Sequence, residues 1–150
     1  MESSYQLLIN QLDALLENEH DLIANMANAS ALLFHTLPQL NWAGFYLLKD
    51  NELILGPFQG KVACMHIPLD KGVCGACATS KTCIRVDDVH TFAGHIACDS
   101  ASNSEIVIPL MKDDQLIGVL DIDSPMKSRF SEVDEFYLKQ FVDHFMNHLL

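Results

Sequence analysis

The sequence predicts an α+β domain: an antiparallel sheet with its terminal helices gathered on one face. Three observations point there. Segments with helical apolar spacing lie at the two ends of the chain. The stretch between them reads mostly as strands. Two pairs of strands form hairpins, turned by Lys49-Asp50-Asn51 and Lys112-Asp113-Asp114.

The elements follow in order. Leu8, Leu12, Leu15 and Leu16 recur at helical spacing, and Asn18 to His20 breaks the pattern. A second helix follows, with Leu22, Ile23, Met26, Leu33 and Leu37 on its apolar side and a stop near Pro38. Trp42 to Leu48 and Leu53 to Leu55 form the first hairpin. "KVACMHIPL" is a short extended piece ending at Pro68. "DKGVCGACATSKT" is rich in small residues and suits a short helix opening near Gly72. "CIRVDDV" is another short strand, and "SEIVIPLMKDDQLIGVLDIDS" is the second hairpin. The last segment is a helix. Ser131 is its N-cap, with Asp134 three residues on in a capping-box arrangement, and Val133, Tyr137, Phe141, Phe145 and Leu149 form its buried stripe.

Composition narrows the function. The chain has 150 residues, enough for one domain spanning 1–150 with a proper core, and 49% of them are hydrophobic. No apolar run approaches the roughly 20 residues of a membrane span. The first segment is too polar for a signal peptide and lacks a basic start, so the protein is expected in the cytoplasm. Nine basic against twenty acidic residues give a net charge of −11. Nucleic acid and anionic membrane are therefore poor partners, since both need positive surface. The acidity suits a cationic ligand, but for the total charge plain solubility is the better reading.

All five cysteines, Cys64, Cys74, Cys77, Cys83 and Cys98, fall between positions 64 and 98. An odd count in a cytosolic chain argues against a disulfide framework. As a small hydrophobe, cysteine suits Cys83 beside Ile84, and Cys77. As metal ligands, the CGAC pair supplies half a zinc site, with His66, His90, His95 or Cys98 to complete it; there is no second CxxC. As a reactive thiol, Cys74 gains acidity from backbone N–H groups if the helix opens at Gly72. Cys98 suits nucleophilic work best. It stands in the polar loop "GHIACDSASN", where Gly94 and Ala97 let backbone N–H donors approach a ligand carboxylate.

The other chemistry-bearing stretch is "GVLDIDS". On a strand, Asp121 and Asp123 share a face with Val119, their Cα atoms roughly 6.6 Å apart. Leu116, Gly118, Leu120 and Ile122 take the face toward the helices. Glu105 opens the partner strand, at a distance that depends on register. The spacing alone slightly favours a solvated face. Asp121 inside so apolar a run argues for a partner, because an unpaired carboxylate there is costly. Carboxylates so close raise one another's pKa, which is tolerated if a cation sits between them or one holds a proton.

Five motifs in order, "NWAGFYLL", "LGPFQGKVACMHIPLDKGVCGACA", "VDDVHTFAGHIACDSASNSEIVIPL", "LIGVLDIDSP" and "RFSEVDE", cover roughly residues 41 to 136. Through them the chain resembles the free methionine-(R)-sulfoxide reductases, enzymes of the GAF fold. That resemblance implies a ligand pocket on the sheet face opposite the terminal helices. It makes Cys98 the nucleophile, Cys64 the main resolving thiol and Cys74 an alternative partner. It sets Glu105, Asp121 and Asp123 around the substrate, Trp42 and Tyr46 as an aromatic wall, and the backbone near Ile96 and Ala97 as receiver of the substrate carboxylate. It also implies thioredoxin or a similar dithiol as reductant, no metal or organic cofactor, and a homodimer. Cys77 and Cys83 are extra to the family pattern, and Ala93 stands where the family commonly has proline.

These residues fit a free amino acid. Its ammonium offsets the carboxylates, its carboxylate takes backbone N–H groups, and its methyl sulfoxide tail needs an aromatic slot. The implied chemistry is attack by the Cys98 thiolate on the sulfoxide sulfur, with a proton from Asp121 or Glu105 to the oxygen. The resulting sulfenic acid condenses with Cys64 to a disulfide that a dithiol reduces. Two other readings stand beside it: a non-catalytic GAF module sensing a nucleotide or other small ligand, and a zinc-binding structural protein.

Overall fold

The computed structural model describes residues 2–95 and 100–149. Two helices, α1 (Glu2–Leu15) and α2 (Leu22–Thr36), precede the hairpin β1 (Trp42–Lys49) and β2 (Glu52–Gly60). Then come β3 (His66–Pro68), α3 (Gly72–Ser80), β4 (Ile84–Val86) and a 3₁₀ turn at Val89–Thr91. A second hairpin, β5 (Ser104–Lys112) and β6 (Gln115–Ser124), leads to α4 (Glu132–Asn147). The six strands form one antiparallel sheet in the order β3-β2-β1-β6-β5-β4, so the long strands of both hairpins lie side by side at its centre.

Local chemistry places these elements. Both predicted turns form, and Asp50, Asn51, Asp113 and Asp114 all take the positive φ that a tight two-residue hairpin demands. Ser131 caps α4 in a full capping box with Asp134. Asn18, also at positive φ, breaks α1 from α2, and Asp21 caps α2 by accepting from Ala24 N–H.

Period-two alternation divides the sheet between two cores. On one face, Ala43, Phe45, Ile106, Ile108, Leu120 and Ile122 pack under α1, α2 and α4, against Leu8, Leu12, Met26, Leu33, Phe141 and Phe145. On the other face a smaller core joins Trp42, Tyr46, Val107 and Val119 to Val73, Cys74 and Cys77 of α3. Among the described residues no helix is long and apolar enough to cross a membrane.

Three expected positions differ. Val133 is 41% exposed, and α4 buries Leu138 and Val142 beside Phe141 and Phe145. Every-fourth spacing gains about 40° per step on a 3.6-residue helix, so such a stripe turns off the core at its ends. Ile23 is 51% exposed for a related reason: Leu22, not Ile23, lines up with Met26, Ala29 and Leu33. Leu116 packs with the smaller core, and Ile117 faces the helices. The pairing of β5 with β6 is irregular at Leu110/Met111, opposite this point, and the alternation slips there.

Candidate functional site

The sheet register assembles the site. Across β1, β6 and β5, Trp42 lies opposite Asp123, and Asp123 lies opposite Glu105. The next row on the same face runs Phe58, Gly44, Asp121, Val107. One row further, Tyr46 faces Val119. Opposite residues in an antiparallel pair share a face. The two aspartates of β6, Glu105 of β5 and the two aromatics of β1 therefore meet on one surface.

Gly44 makes room for this arrangement. A Cβ there would stand 2.2 Å from the Phe58 Cβ and 2.8 Å from the Trp42 ring. The bare backbone lets Trp42 stack on Phe58, centroids 5.1 Å apart, and on Tyr46, at 5.9 Å. Trp42 Nε1 donates to the Lys61 carbonyl at 3.1 Å, and the Tyr46 hydroxyl donates to the Cys64 carbonyl at 3.1 Å. The aromatic wall thus holds the Lys61 to Cys64 segment beside it.

The helix α3 covers the carboxylates. Gly72 opens it at positive φ, and its N–H donates to the Gly94 carbonyl at 2.8 Å. Gly94 is itself at φ +78°, where a side chain would be strained. Cys74, one turn in, brings its Sγ to 3.9 Å from Glu105 Oε2. Trp42, Tyr46, Cys74, Glu105, Asp121 and Asp123 line a cavity of about 50 Å³, with Lys71, His95 and Ser102 also at its wall.

The electrostatics of this cavity are unusual. Glu105, Asp121 and Asp123 are 8%, 6% and 8% exposed. Burial, and then the charge of Asp121, push the Glu105 carboxyl well above its ordinary range. Burial, and then the charge of Asp123, do the same to Asp121. The Asp121 Oδ1 is buried with no hydrogen-bond partner among the described residues. Tyr46 is held firmly in its neutral form by burial and by the same negative charges.

Cys74 corrects one expectation. The helix opens at Gly72 as predicted, but the thiol is not acidified. Burial, followed by Asp121 and Glu105, raises its pKa well above the ordinary thiol value. Burial, with the nearby carboxylates adding to it, outweighs the partial charge of a short helix. Among the described residues, which leave out Cys98, Cys77 of the CGAC pair joins no metal-capable cluster. Among the described residues the metal-capable side chains that converge are Cys74, Glu105 and Asp121, with ligand atoms all within 4.8 Å of one another. Cys77 is fully buried in the smaller core, where burial raises its pKa, and Cys83 is half-buried with a pKa raised by burial to about 11. His66 pairs with Glu52 on the surface, and His90 with Asn103.

Cys74, Cys77 and Cys83 are free thiols, whereas Cys64 is disulfide-bonded. The expected roles of Cys98, Ile96 and Ala97 lie outside the described residues. Both flanks of that stretch are anchored at the cavity. On one side Gly94 is bonded to Gly72 and His95 lines the wall. On the other, Ser102 lines the wall and accepts from Asn41 Nδ2 at 2.9 Å, and Asn103 N–H donates to the Ser124 carbonyl. Phe58, Gly44, Lys71 and Ser102 were missed in the sequence. Only the register of β1 against β2 could have drawn Phe58 and Gly44 into the site.

Comparison with known proteins places this geometry. The GAF domain model matches residues 24–149. Protein YtsP of Bacillus subtilis is 58% identical over 144 residues, covering 95% of this chain and 88% of its own length. The free methionine-R-sulfoxide reductase of Escherichia coli is 54% identical over 138 residues, 92% of this chain and 84% of its own. The reduced form of fRMsr of Staphylococcus aureus superposes with a TM-score of 0.95 at 53% identity, covering 97% of this chain and 95% of that one. The same protein in complex with substrate superposes at 0.93, with the same identity and coverage.

Proposed function

The chain belongs to the GAF domain family, among the free methionine-R-sulfoxide reductases, and on that premise we propose that it reduces free L-methionine-(R)-S-oxide to L-methionine through a thiol cycle on Cys98. The observation that carries this reading is the meeting of three buried carboxylates with an aromatic wall, in a cavity bounded by His95 and Ser102 on either side of the Cys98 stretch.

In the proposed complex the substrate ammonium lies against Asp123 and its neighbours and offsets their charge. The methyl sulfoxide tail lies along Trp42 and Tyr46. Backbone N–H groups near Ile96 and Ala97 take the carboxylate. A methionine within a peptide offers neither charged end, which makes the site specific for the free amino acid.

The Cys98 thiolate attacks the sulfoxide sulfur. Each carboxyl of the Glu105–Asp121 pair is pushed up by burial and by a neighbouring carboxylate, which favours a shared proton, and the pair passes that proton to the sulfoxide oxygen. The protonated oxygen then passes as hydroxyl to the Cys98 sulfur as the substrate sulfur–oxygen bond and the new sulfur–sulfur bond break, which releases methionine and leaves Cys98 as a sulfenic acid. The Cys64 thiol then condenses with it, losing water, to form a disulfide. The disulfide-bonded state of Cys64, with Cys74, Cys77 and Cys83 free, supports Cys64 as the resolving thiol. The high pKa of Cys74 argues against it as first partner. Thioredoxin or a similar dithiol closes the cycle.

The test supplies each sulfoxide epimer, free and peptide-bound, with thioredoxin, and measures the methionine formed. Turnover confined to the free R epimer, and abolished by Cys98→Ser, is expected. Activity that survives Cys98→Ser removes that residue from the nucleophile role. Ligand binding without dithiol-dependent turnover favours a sensor.

A further inference from the structure

We propose that Cys74, Glu105 and Asp121 form a site for one thiophilic divalent cation, Zn²⁺ or Cd²⁺, whose occupancy closes the cavity to other ligands. The ion is an inhibitor, not a cofactor. The binding claim stands on geometry alone, and only the blocking of substrate rests on the function proposed above.

The donor set is already gathered. One sulfur and two carboxylate oxygens lie within 4.8 Å of one another, all on buried residues. The Sγ···Oε2 separation of Cys74 and Glu105 is 3.9 Å. Tetrahedral zinc, with Zn–S of about 2.3 Å and Zn–O of about 2.0 Å, needs that edge to be about 3.5 Å. A shift of a few tenths of an ångström supplies that edge, and the Asp121 oxygen, within 4.8 Å of both atoms, closes in to complete the set. Three protein ligands leave a fourth position open toward the cavity, for water or a ligand atom.

A second observation asks for a ligand at the same place. Asp121 is 6% exposed, and its Oδ1 has no hydrogen-bond partner among the described residues. A buried carboxylate oxygen left unpaired is costly. With Asp123 adjoining on the same face, the cluster gathers negative charge that a dication offsets more strongly than a single ammonium does. The sulfur decides which dication: thiolate selects zinc and cadmium, whereas magnesium and calcium require all-oxygen sites with more ligands. Binding displaces the Cys74 thiol proton, and any proton held by the carboxylates, to solvent. No electrons move.

The disulfide form of the protein isolates the site, because Cys64 is then no ligand and no dithiol is needed in the buffer to compete for metal. Metal-stripped protein is titrated with zinc chloride by calorimetry, and separately with Co²⁺ while sulfur-to-cobalt charge transfer is followed in the near ultraviolet. One equivalent of each is expected to bind, the cobalt with a charge-transfer band, while Mg²⁺ and Ca²⁺ do not bind. Cys74→Ser and Asp121→Asn should each weaken zinc by about tenfold or more and Cys74→Ser should erase the cobalt band, whereas Cys83→Ser retains both. Unfolding curves for each variant separate lost binding from lost fold. The site is overturned if wild-type protein takes up no zinc, or if Cys74→Ser and Asp121→Asn, both folded, bind it as wild type does. Free methionine-(R)-sulfoxide, which the disulfide form does not turn over, should displace the zinc. Zinc that Cys74→Ser abolishes but the sulfoxide leaves in place would keep the cation site and overturn its blocking role.

Discussion

The two faces of the central strands are built from alternate residues of the same segments, yet they obey opposite rules. Toward the helices, β6 offers Leu120 and Ile122 to a continuous apolar core. Toward the cavity, its next-door residues Asp121 and Asp123 are almost as deeply buried but carry carboxylates, with Glu105 across from them. One face lowers the free energy of the fold by removing hydrocarbon from water. The other raises it by desolvating like charges, and this is stable only because the first face supplies the surplus. A sheet thus confines functional strain to every second residue, one peptide away from its own support.

The largest effect separates the two faces. Phe141, fully buried under the helix-side core and remote from the carboxylates, is expected to cost about 3–5 kcal/mol as Phe141→Ala. Urea unfolding measures this, and the folded fraction should keep its turnover per molecule. Asp121→Asn should do the reverse. On the proposed mechanism, losing one member of the proton-holding pair is expected to lower kcat about 100-fold or more, while stability at neutral pH holds or rises. The pH dependence sharpens the contrast. A carboxyl whose pKa is higher folded than unfolded contributes stability that is fully present below the unfolded value and lost as pH rises through the folded one. Wild-type stability should therefore fall as pH climbs above the ordinary carboxylate range, and Asp121→Asn should flatten that slope. An unchanged slope in the variant would place the proton elsewhere.

Gly44→Ala tests the cavity face by crowding rather than charge. Its methyl has no room between Phe58 and the Trp42 ring, so overpacking of about 1–3 kcal/mol is expected. The displaced Trp42 should raise KM more than it lowers kcat. Equal stability of variant and wild type would show that the aromatic stack yields freely.

Much of this contrast was legible before any coordinates. The hairpins announced themselves through Asp50-Asn51 and Asp113-Asp114, because few residues tolerate the positive φ that such turns require. Period two put Asp121 and Asp123 on a common face, and Ser131 with Asp134 marked the start of α4. What stayed hidden was set by pairing between distant segments. Glu105 meets Asp123 only through the β5–β6 register, and Phe58 meets Gly44 only through that of β1 and β2. Cys74 shows the limit most clearly. Its place at a helix start was readable, but the sign of its pKa shift was not, because that sign is set first by burial against the sheet and then by carboxylates from strands more than thirty residues away.

The smallest predicted effect concerns the link between the aromatic wall and Cys64, the resolving thiol of the proposed cycle. Tyr46 is buried on the cavity face, and its hydroxyl donates to the Cys64 carbonyl. Tyr46→Phe keeps the ring and its stacking on Trp42 and removes only this bond, worth about 0.5–1.5 kcal/mol. If the bond merely braces the fold, the loss should appear in unfolding and nowhere else. If it holds Cys64 where condensation occurs, the two half-reactions should separate. Methionine release in a single turnover should stay near wild type, whereas disulfide formation, followed by quenching free thiols at intervals, should slow several-fold. Equal slowing of both steps would assign Tyr46 to the substrate itself, and slowing of neither would leave it to the fold alone.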